Sequence, residues 1–416
     1  MHVRSVEGEE RVTPLELFFD LVFVFALTQV TGYLAANQSG EGLLRGGLLF
    51  GALWWAWAAY AWLTNTLDPE EGAVRLAVFV TTGAMLIVAL ATPSAFGSEA
   101  LVFGLAYFVV RALHIVLYAI ASRDDPEFHA AILRFAPGAV VGASLLVIAS
   151  LFDGPVQIGL WAGALTIDFL SALIGRGRGW PLSPAHFVER HGLIIIIALG
   201  ESIVAIGVGA AGLPLDAARI AAALLGMVVA ASLWWSYFDW VIFISQARLT
   251  EAQGAERVEL ARDLYTYLHL PMVFGIVLFA LGLKVTLGHV DEPLGIIPAI
   301  GLCGGLALYM AAHVALRLRI SGGLGHGRPT ATIVLLALIP VATMVPALVA
   351  LALAAAVCAT LIAYEALRYR DGRTWIRSHR GEFTIDEVRR HAGPGGAPDS
   401  AEEAPTDPNA DRPVAG

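Results

Sequence analysis

The chain has 416 residues, of which 57% are hydrophobic and only 15% charged, with a mean hydropathy of +0.71; that balance excludes an ordinary soluble domain and belongs to a chain whose solvent is lipid. The formal charge of -9 arises mostly in loops and in the tail after Gly393, so it marks no nucleic-acid surface and no acidic or basic partner. Cys303 and Cys358, the two cysteines, fall in apolar runs where they act as small hydrophobes and make neither a disulfide framework nor a zinc site.

Residues 1–13 read as a cytoplasmic N-terminal segment, with no short apolar core and small-residue cleavage site, so the first apolar run is expected to be a retained helix. Apolar runs of spanning length predict an all-α, polytopic membrane protein with about twelve transmembrane helices. They cover 14–35, 43–64, 74–93, 100–121, 131–151, 155–175, 191–212, 217–244, 264–287, 294–316, 330–346 and 347–367. The last two, with Pro346 between them, also admit one kinked segment and a re-entrant piece. Arginines gather in every second connection, among them Arg75, Arg123, Arg176, Arg248, Arg317 and Arg328, while the alternate ones hold little beyond Arg45, Arg219 and Lys284. The positive-inside rule then puts both termini in the cytoplasm, in a bacterial inner membrane.

The first run opens with Thr13-Pro14-Leu15-Glu16, a capping box with proline at the first helical position, so Glu16 has a capping duty. Asp20, one turn deeper, has none, and must be paired, hydrated or protonated. The fourth run carries Arg111 and His114, three apart; Arg111 is the obvious cationic partner for a buried acid. Asp168 in the sixth run and Asp239 in the eighth fall near the level of Asp20. A layer of three carboxylates is therefore expected. Glu201, in "ALGESIVAIG", lies nearer the midplane, where an ionised carboxylate costs about 2.5–3.5 kcal/mol on insertion scales. Gly200 and Gly207 offer a small-residue face for close approach of a neighbour.

"LWWAWAAYAW" (Leu53 to Trp62) matches "LWWSYFDWVI" (Leu233 to Ile242), "FALTQV" answers "IALGES", and "RALHIVLY" answers "MAAHVALR", which aligns His114 with His313. Collinear matches of this kind predict two six-helix halves, 14–175 and 191–367, joined by a cytoplasmic connector, 176–190. The tryptophans of the matched pair are candidates to stack a flat ligand or to sit in interfacial belts. No HxxxH, HExxH or CxxCH motif occurs, so neither metal nor cofactor is implied, and no catalytic pair or triad assembles from spacing. After the last span, 368–392 reads as a basic juxtamembrane segment with a short helix capped by Thr384 and Glu387. The Pro, Gly, Ala and acidic residues of 393–416 predict a disordered tail.

"TPLELFFDLVFVFALTQV" together with "HFVERHGLIIIIALGESIVAIG" resembles the bacterial low temperature requirement protein A (LtrA) family over most of the membrane region. The resemblance implies a polytopic inner-membrane protein linked to growth in the cold. It brings Glu16, Asp20, Glu189, Arg190, Gly200, Glu201 and Ser202 into focus without giving them roles. Three functional classes remain: a secondary transporter or ion/proton pathway for a small solute or ion, a structural or regulatory role in membrane adaptation, and a membrane enzyme acting on a lipid or quinone. The buried carboxylates favour the first, with Asp20, Glu201, Asp168, Asp239, Arg111 and His114 as pathway residues.

Overall fold

A computed structural model of the chain describes residues 11–174, 180–379 and 383–391. Residues 1–10 of the N-terminal segment, 175–179 (which include 176–179 of the expected connector), 380–382 and 392 of the juxtamembrane segment, and the tail from 393 lie outside the described residues. The described chain is helical, with one isolated antiparallel bridge between Pro293 and Pro346.

The first six helices are α1 (Pro14–Ala36), α2 (Gly40–Thr66), α3 (Gly72–Ala91), α4 (Ala100–Ala121), α5 (Pro126–Ala149) and α6 (Gly154–Ile174). After the connector come α7 (Pro184–Ala210), α8 (Ala217–Ser236), α9 (Ile242–Glu251), α10 (Gly254–Ala261), α11 (His269–Gly288), α12 (Ile296–Ala299), α13 (Gly305–Ser321), α14 (Gly327–Ala342) and α15 (Ala347–Arg368). Two short helices, α16 (Arg370–His379) and α17 (Ile385–His391), follow. Three π-helical segments, Tyr237–Val241, Arg262–Tyr267 and Ile300–Gly304, join α8 to α9, α10 to α11 and α12 to α13 into long continuous rods.

Ten of the described helices are long and apolar enough to cross a membrane, where about twelve were expected. The difference lies in two elements. The 27-residue α2 is long enough, but its Trp, Tyr, Gly, Asn and Thr content lowers its hydropathy; it can be polar because it is buried. The 16-residue α14 is short. It is nonetheless a separate element from α15, packed beside it, with a break at Thr343–Pro346 rather than a single kinked rod.

The bundle turns its large apolar side chains outward as well as inward. Leu76, Leu90, Leu151, Ile333 and Leu367 are all more than 60% exposed, the arrangement a lipid-facing surface requires and water would not tolerate. At the centre stand α11 and α13, whose backbones nearly touch: a Cβ on Gly275 would meet the Gly305 carbonyl oxygen at 2.6 Å, and the reverse holds for Gly305. Small residues give such crossings their packing gain when lipid removes any hydrophobic drive. The expected small face at Gly200 and Gly207 is different. A Cβ at either would meet nothing within 4 Å, because both point away from the neighbours of α7; the close approach on that helix is at Gly209, against the Lys284 backbone.

In the first six helices α1 packs on α2 and α3, α3 on α4, α4 on α5, α5 on α6, and α6 returns to α2. In the remainder α7 packs on α8 and α11, α11 on α13, α13 on α14, α14 on α15, and α15 returns to α8. The two groups meet where α1 and α2 lie against α7 and α11.

Candidate functional site

The seam between α1 and α7 carries the densest buried charge, and its construction starts at two helix N-termini. Thr13 caps α1: its backbone N–H donates to Glu16 Oε2 at 2.9 Å and its hydroxyl accepts from Glu16 N at 3.4 Å, the reciprocal arrangement read from the sequence. The start of α7 is fixed from α2, where the Asn65 side chain accepts from Ser183 N at 2.8 Å and donates to Ser183 O at 2.9 Å. α7 therefore begins at Pro184, and Arg190, assigned to the connector on its charge, lies almost two turns inside the helix.

With both starts pinned, α1 and α7 run in the same direction and their side chains pair level by level. His186 Nε2 donates to Glu16, 3.2 Å from Oε2 and 3.1 Å from Oε1, while its Nδ1 accepts from Asn65 at 3.1 Å; those two bonds describe a neutral imidazole with its proton on Nε2. One turn on, Arg190 Nη1 meets Asp20 Oδ2 at 2.8 Å and its Nε lies 3.8 Å from Glu16 Oε1. The other Asp20 oxygen accepts the Trp57 indole N–H at 2.9 Å, and the guanidinium carbon sits 5.9 Å from the Trp57 ring centroid. Glu16, Asp20, His186 and Arg190 are all at most 1% exposed. Capping alone therefore does not account for Glu16, which also shares the positive charge of Arg190. Glu189, the neighbour of Arg190, is exposed and accepts the backbone N–H of Val12 at 3.0 Å.

Deeper still, roughly 12 Å along α1 from Asp20 to Thr28 and roughly 16 Å along α7 from Arg190 to Glu201 at 1.5 Å per residue, the seam becomes polar again. Glu201, 1% exposed, has its Oε2 2.5 Å from the Thr28 hydroxyl; the Thr31 hydroxyl and the charge of Lys284 on α11 also act on it. Among the described residues the buried Ser202 hydroxyl beside it has no hydrogen-bond partner. His191, next to Arg190, is also buried, with its Nδ1 2.8 Å from the Phe187 carbonyl oxygen; beyond it both helices bury only apolar side chains toward the bundle, and Phe23, Leu27, Ile194, Ile195 and Ala198 are each 0% exposed.

The remaining acids do not share the Asp20–Arg190 site. Each has its own arginine: Asp168 Oδ1 accepts from Arg111 Nη2 at 2.9 Å, and Asp239, in the first π-helical segment, pairs with Arg373 of α16 at 2.8 Å. A further pair, Arg328 with Glu365 at 2.8 and 3.1 Å, ties α14 to α15. A buried carboxylate recruits the nearest guanidinium: Arg190 and Arg111 serve two separate sites, while Arg373, whose Nη2 also lies 3.8 Å from Glu365 Oε2, joins the Asp239 and Arg328–Glu365 pairs into one network. The sequence singled out Arg111 as a cationic partner without showing which acid it meets, and gave no partner for Asp20 or Asp239. His186, Asn65 and Trp57 were also missed as pairing groups; the only signal was their occurrence in otherwise apolar helices.

His114 is buried at 1% exposure against Tyr60 and Tyr118. The aligned His313 is buried against Tyr237 and Tyr309, and His269 Nε2 lies 2.8 Å from the Tyr237 hydroxyl. Among the described residues no three His, Cys, Asp or Glu side chains are gathered as metal ligands. The matched tryptophans separate: Trp54 is 0% exposed and donates to Thr266 O at 2.9 Å, whereas Trp234 is 46% exposed. They do not form one stacking site.

Buried ion pairs inside a shell of outward-facing leucines define a multi-pass membrane protein whose interior is polar at chosen levels. Comparison with known proteins gives the class its family. The model of the bacterial low temperature requirement A protein (LtrA) family matches residues 11–363, so the chain belongs to that family. It is 30% identical over 289 residues, 66% of this chain and 69% of the relative, to an uncharacterised protein of Rhizobium meliloti (strain 1021). No solved structure matches it.

Proposed function

We propose that the chain is a secondary transporter or proton/ion pathway of the bacterial inner membrane, with Glu201 as the group that exchanges a proton while a small solute or ion crosses. The observation that carries this reading is the Glu201–Thr28 contact. Thr28 Oγ1 lies 2.5 Å from Glu201 Oε2 and 3.3 Å from the Val24 carbonyl, but a hydroxyl has one proton. With Glu201 ionised, Thr28 donates to the carboxylate. With Glu201 protonated, the acid donates to Thr28, and the hydroxyl turns to Val24. Both protonation states are thus satisfied by one rotation, which is what a reversible proton carrier in a low-dielectric interior needs and a fixed structural carboxylate does not.

Two further features support the reading. The apolar stretch between the Asp20–Arg190 level and Glu201 separates the acid from the charged end, as a closed gate would. The neighbour order of α1 to α6 recurs in α7, α8, α11, α13, α14 and α15, in line with His114 and His313 lying on corresponding helices; two parallel halves with the acid at their interface is the plan of many carriers. In this arrangement both termini are cytoplasmic, as the arginine bias indicates, and the charged end with Asp20, Asp168 and Asp239 faces the cytoplasm. The link to growth in the cold would then be a transport function needed at low temperature.

The test uses proteoliposomes with an entrapped pH-sensitive dye and an imposed pH gradient. The parent chain should dissipate the gradient, and Glu201→Gln, which keeps the shape but removes the titration, should slow it at least tenfold while the protein retains its elution volume and melting midpoint. Equal rates for the two folded proteins would make Glu201 a packing residue and remove the proposal.

A further inference from the structure

A second feature lies on the lipid-facing surface, away from the α1–α7 seam. α14 and α15 pack side by side and leave an open furrow between them, walled by Val334 and Leu338 of α14 and by Leu353, Thr360 and Tyr364 of α15, with His326 at its end. The two helices approach closely at that end, where a Cβ on Gly327 would meet Tyr364 Cδ1 at 3.1 Å. From Gly327 to Leu338, and from Leu353 to Tyr364, each wall rises roughly 16 Å at 1.5 Å per residue. One leaflet of a hydrocarbon core about 30 Å thick is about 15 Å deep, so the furrow takes an extended acyl chain through the whole of one leaflet.

The charges stand at one end. Arg317, exposed near the close of α13, folds onto Gly325: a Cβ there would meet its Nη1 at 2.8 Å, which sets the guanidinium beside His326. Arg368, also exposed, follows Tyr364 by one turn on the same face of α15. The nearby acids are already engaged. Glu365 holds Arg328 at 2.8 Å and lies 3.8 Å from Arg373, Asp239 pairs with Arg373 at 2.8 Å, and Asp263 takes Arg319 at 3.0 Å as well as Arg262. Arg317 acts on Glu365 only from beyond ion-pair distance, and Arg368 makes no ion pair among the described residues. The end is therefore net positive, while the furrow itself is largely apolar. Positive charge excludes an organic cation as occupant and gives a zwitterionic headgroup no net attraction. A phosphate carrying an acyl chain complements both parts, as anionic lipids do in basic pockets between membrane helices.

We propose that this furrow holds one anionic phospholipid, with an acyl chain laid along α14 and α15 and the headgroup phosphate against Arg317 and Arg368. The leaflet it belongs to is the cytoplasmic one in the orientation given above. The site shares no residue with the Glu201 pathway, so either reading can fail without the other.

Native mass spectrometry of the delipidated full chain in detergent, titrated with phosphatidylglycerol or phosphatidylethanolamine of the same acyl chains, tests it. One phosphatidylglycerol per chain should be retained at least tenfold more tightly than phosphatidylethanolamine. The double Arg317→Gln, Arg368→Gln chain should lose that preference, since each arginine near a membrane surface contributes severalfold to anionic-lipid affinity. Thr360→Trp fills the furrow from an exposed position and leaves both arginines in place; it should weaken phosphatidylglycerol about tenfold. Equal retention of the two lipids overturns the proposal, and so does an unchanged preference in either variant at the parent's melting midpoint. A two-chain mass that Thr360→Trp abolishes would give the furrow to a second copy of the chain and overturn it as well.

Discussion

Asp20 illustrates what a single residue can and cannot announce. Its burial followed from the sequence, because Phe and Leu surround it on every side, and so did its need of a partner. Arg190 as that partner did not, since pairing across 170 residues depends on how α7 is docked. Removing one member of a buried pair strands the other in low dielectric at a cost of about 3–5 kcal/mol, whereas replacing both with apolar groups is often neutral. Asp20→Asn should therefore lower the melting midpoint in detergent strongly, and so should Arg190→Met, while the double Asp20→Leu, Arg190→Met chain should melt above either single variant. Additive losses would mean that the two residues stabilise the seam separately. At Glu387 the capping bonds from the Thr384 backbone N–H and hydroxyl hold the carboxyl below its ordinary range. That surface cap of α17 is present at neutral pH and is lost as the carboxyl protonates in acid; it was legible because a capping box is local.

Elements were legible to the degree that their burial is uniform. Glycine was visible throughout the second half, but which glycines pack was not, since that depends on helix rotation. Gly275 and Gly305 face each other across α11 and α13, and Gly200 faces open space. Gly275→Ala should cost about 1–3 kcal/mol, the usual range for overpacking, and Gly200→Ala should be neutral or slightly stabilising through helix propensity; comparable melting midpoints for the two would refute the crossing. The π-helical segments were not legible at all, as nothing in composition marks an inserted residue. One of them holds Asp239, which anchors α16 through Arg373, and α17 adds a bond from Ile385 N to Glu251 at 2.6 Å and a small apolar cluster of Ala247, Ile376, Phe383 and Ile385. Truncation after Arg368 should lower the midpoint by a few degrees without unfolding the bundle, and Arg373→Gln should reproduce part of that loss. A truncated chain melting like the parent would show that the clamp contributes nothing.

At the scale of the whole molecule, the all-helical membrane class was readable because lipid selects composition over hundreds of residues, but the number of crossings was not, since it turns on α2 and α14. α14 is about 24 Å long at 1.5 Å per residue, short of a hydrocarbon core of about 30 Å, and Pro340 lies within it. Its crossing would require local thinning of the bilayer, with Arg328 at its first turn, held by Glu365 and the Ser236 carbonyl, and Thr343 just past its end as the polar residues at its two ends. The alternative, a re-entrant α14, would leave α15 to carry the C-terminus to the opposite face from the N-terminus. That placement conflicts with the arginines after Tyr369, which the positive-inside rule keeps in the cytoplasm. Reporter insertions at Gly323 and Met344 and a fusion after Arg373 distinguish the two. The expected readings are inside, outside and inside, because α13 ends on the arginine-rich side and α14 and α15 then cross once each. Matching readings at Gly323 and Met344 would make α14 re-entrant and, with it, end the correspondence between α14 and α5 on which the two-half plan depends.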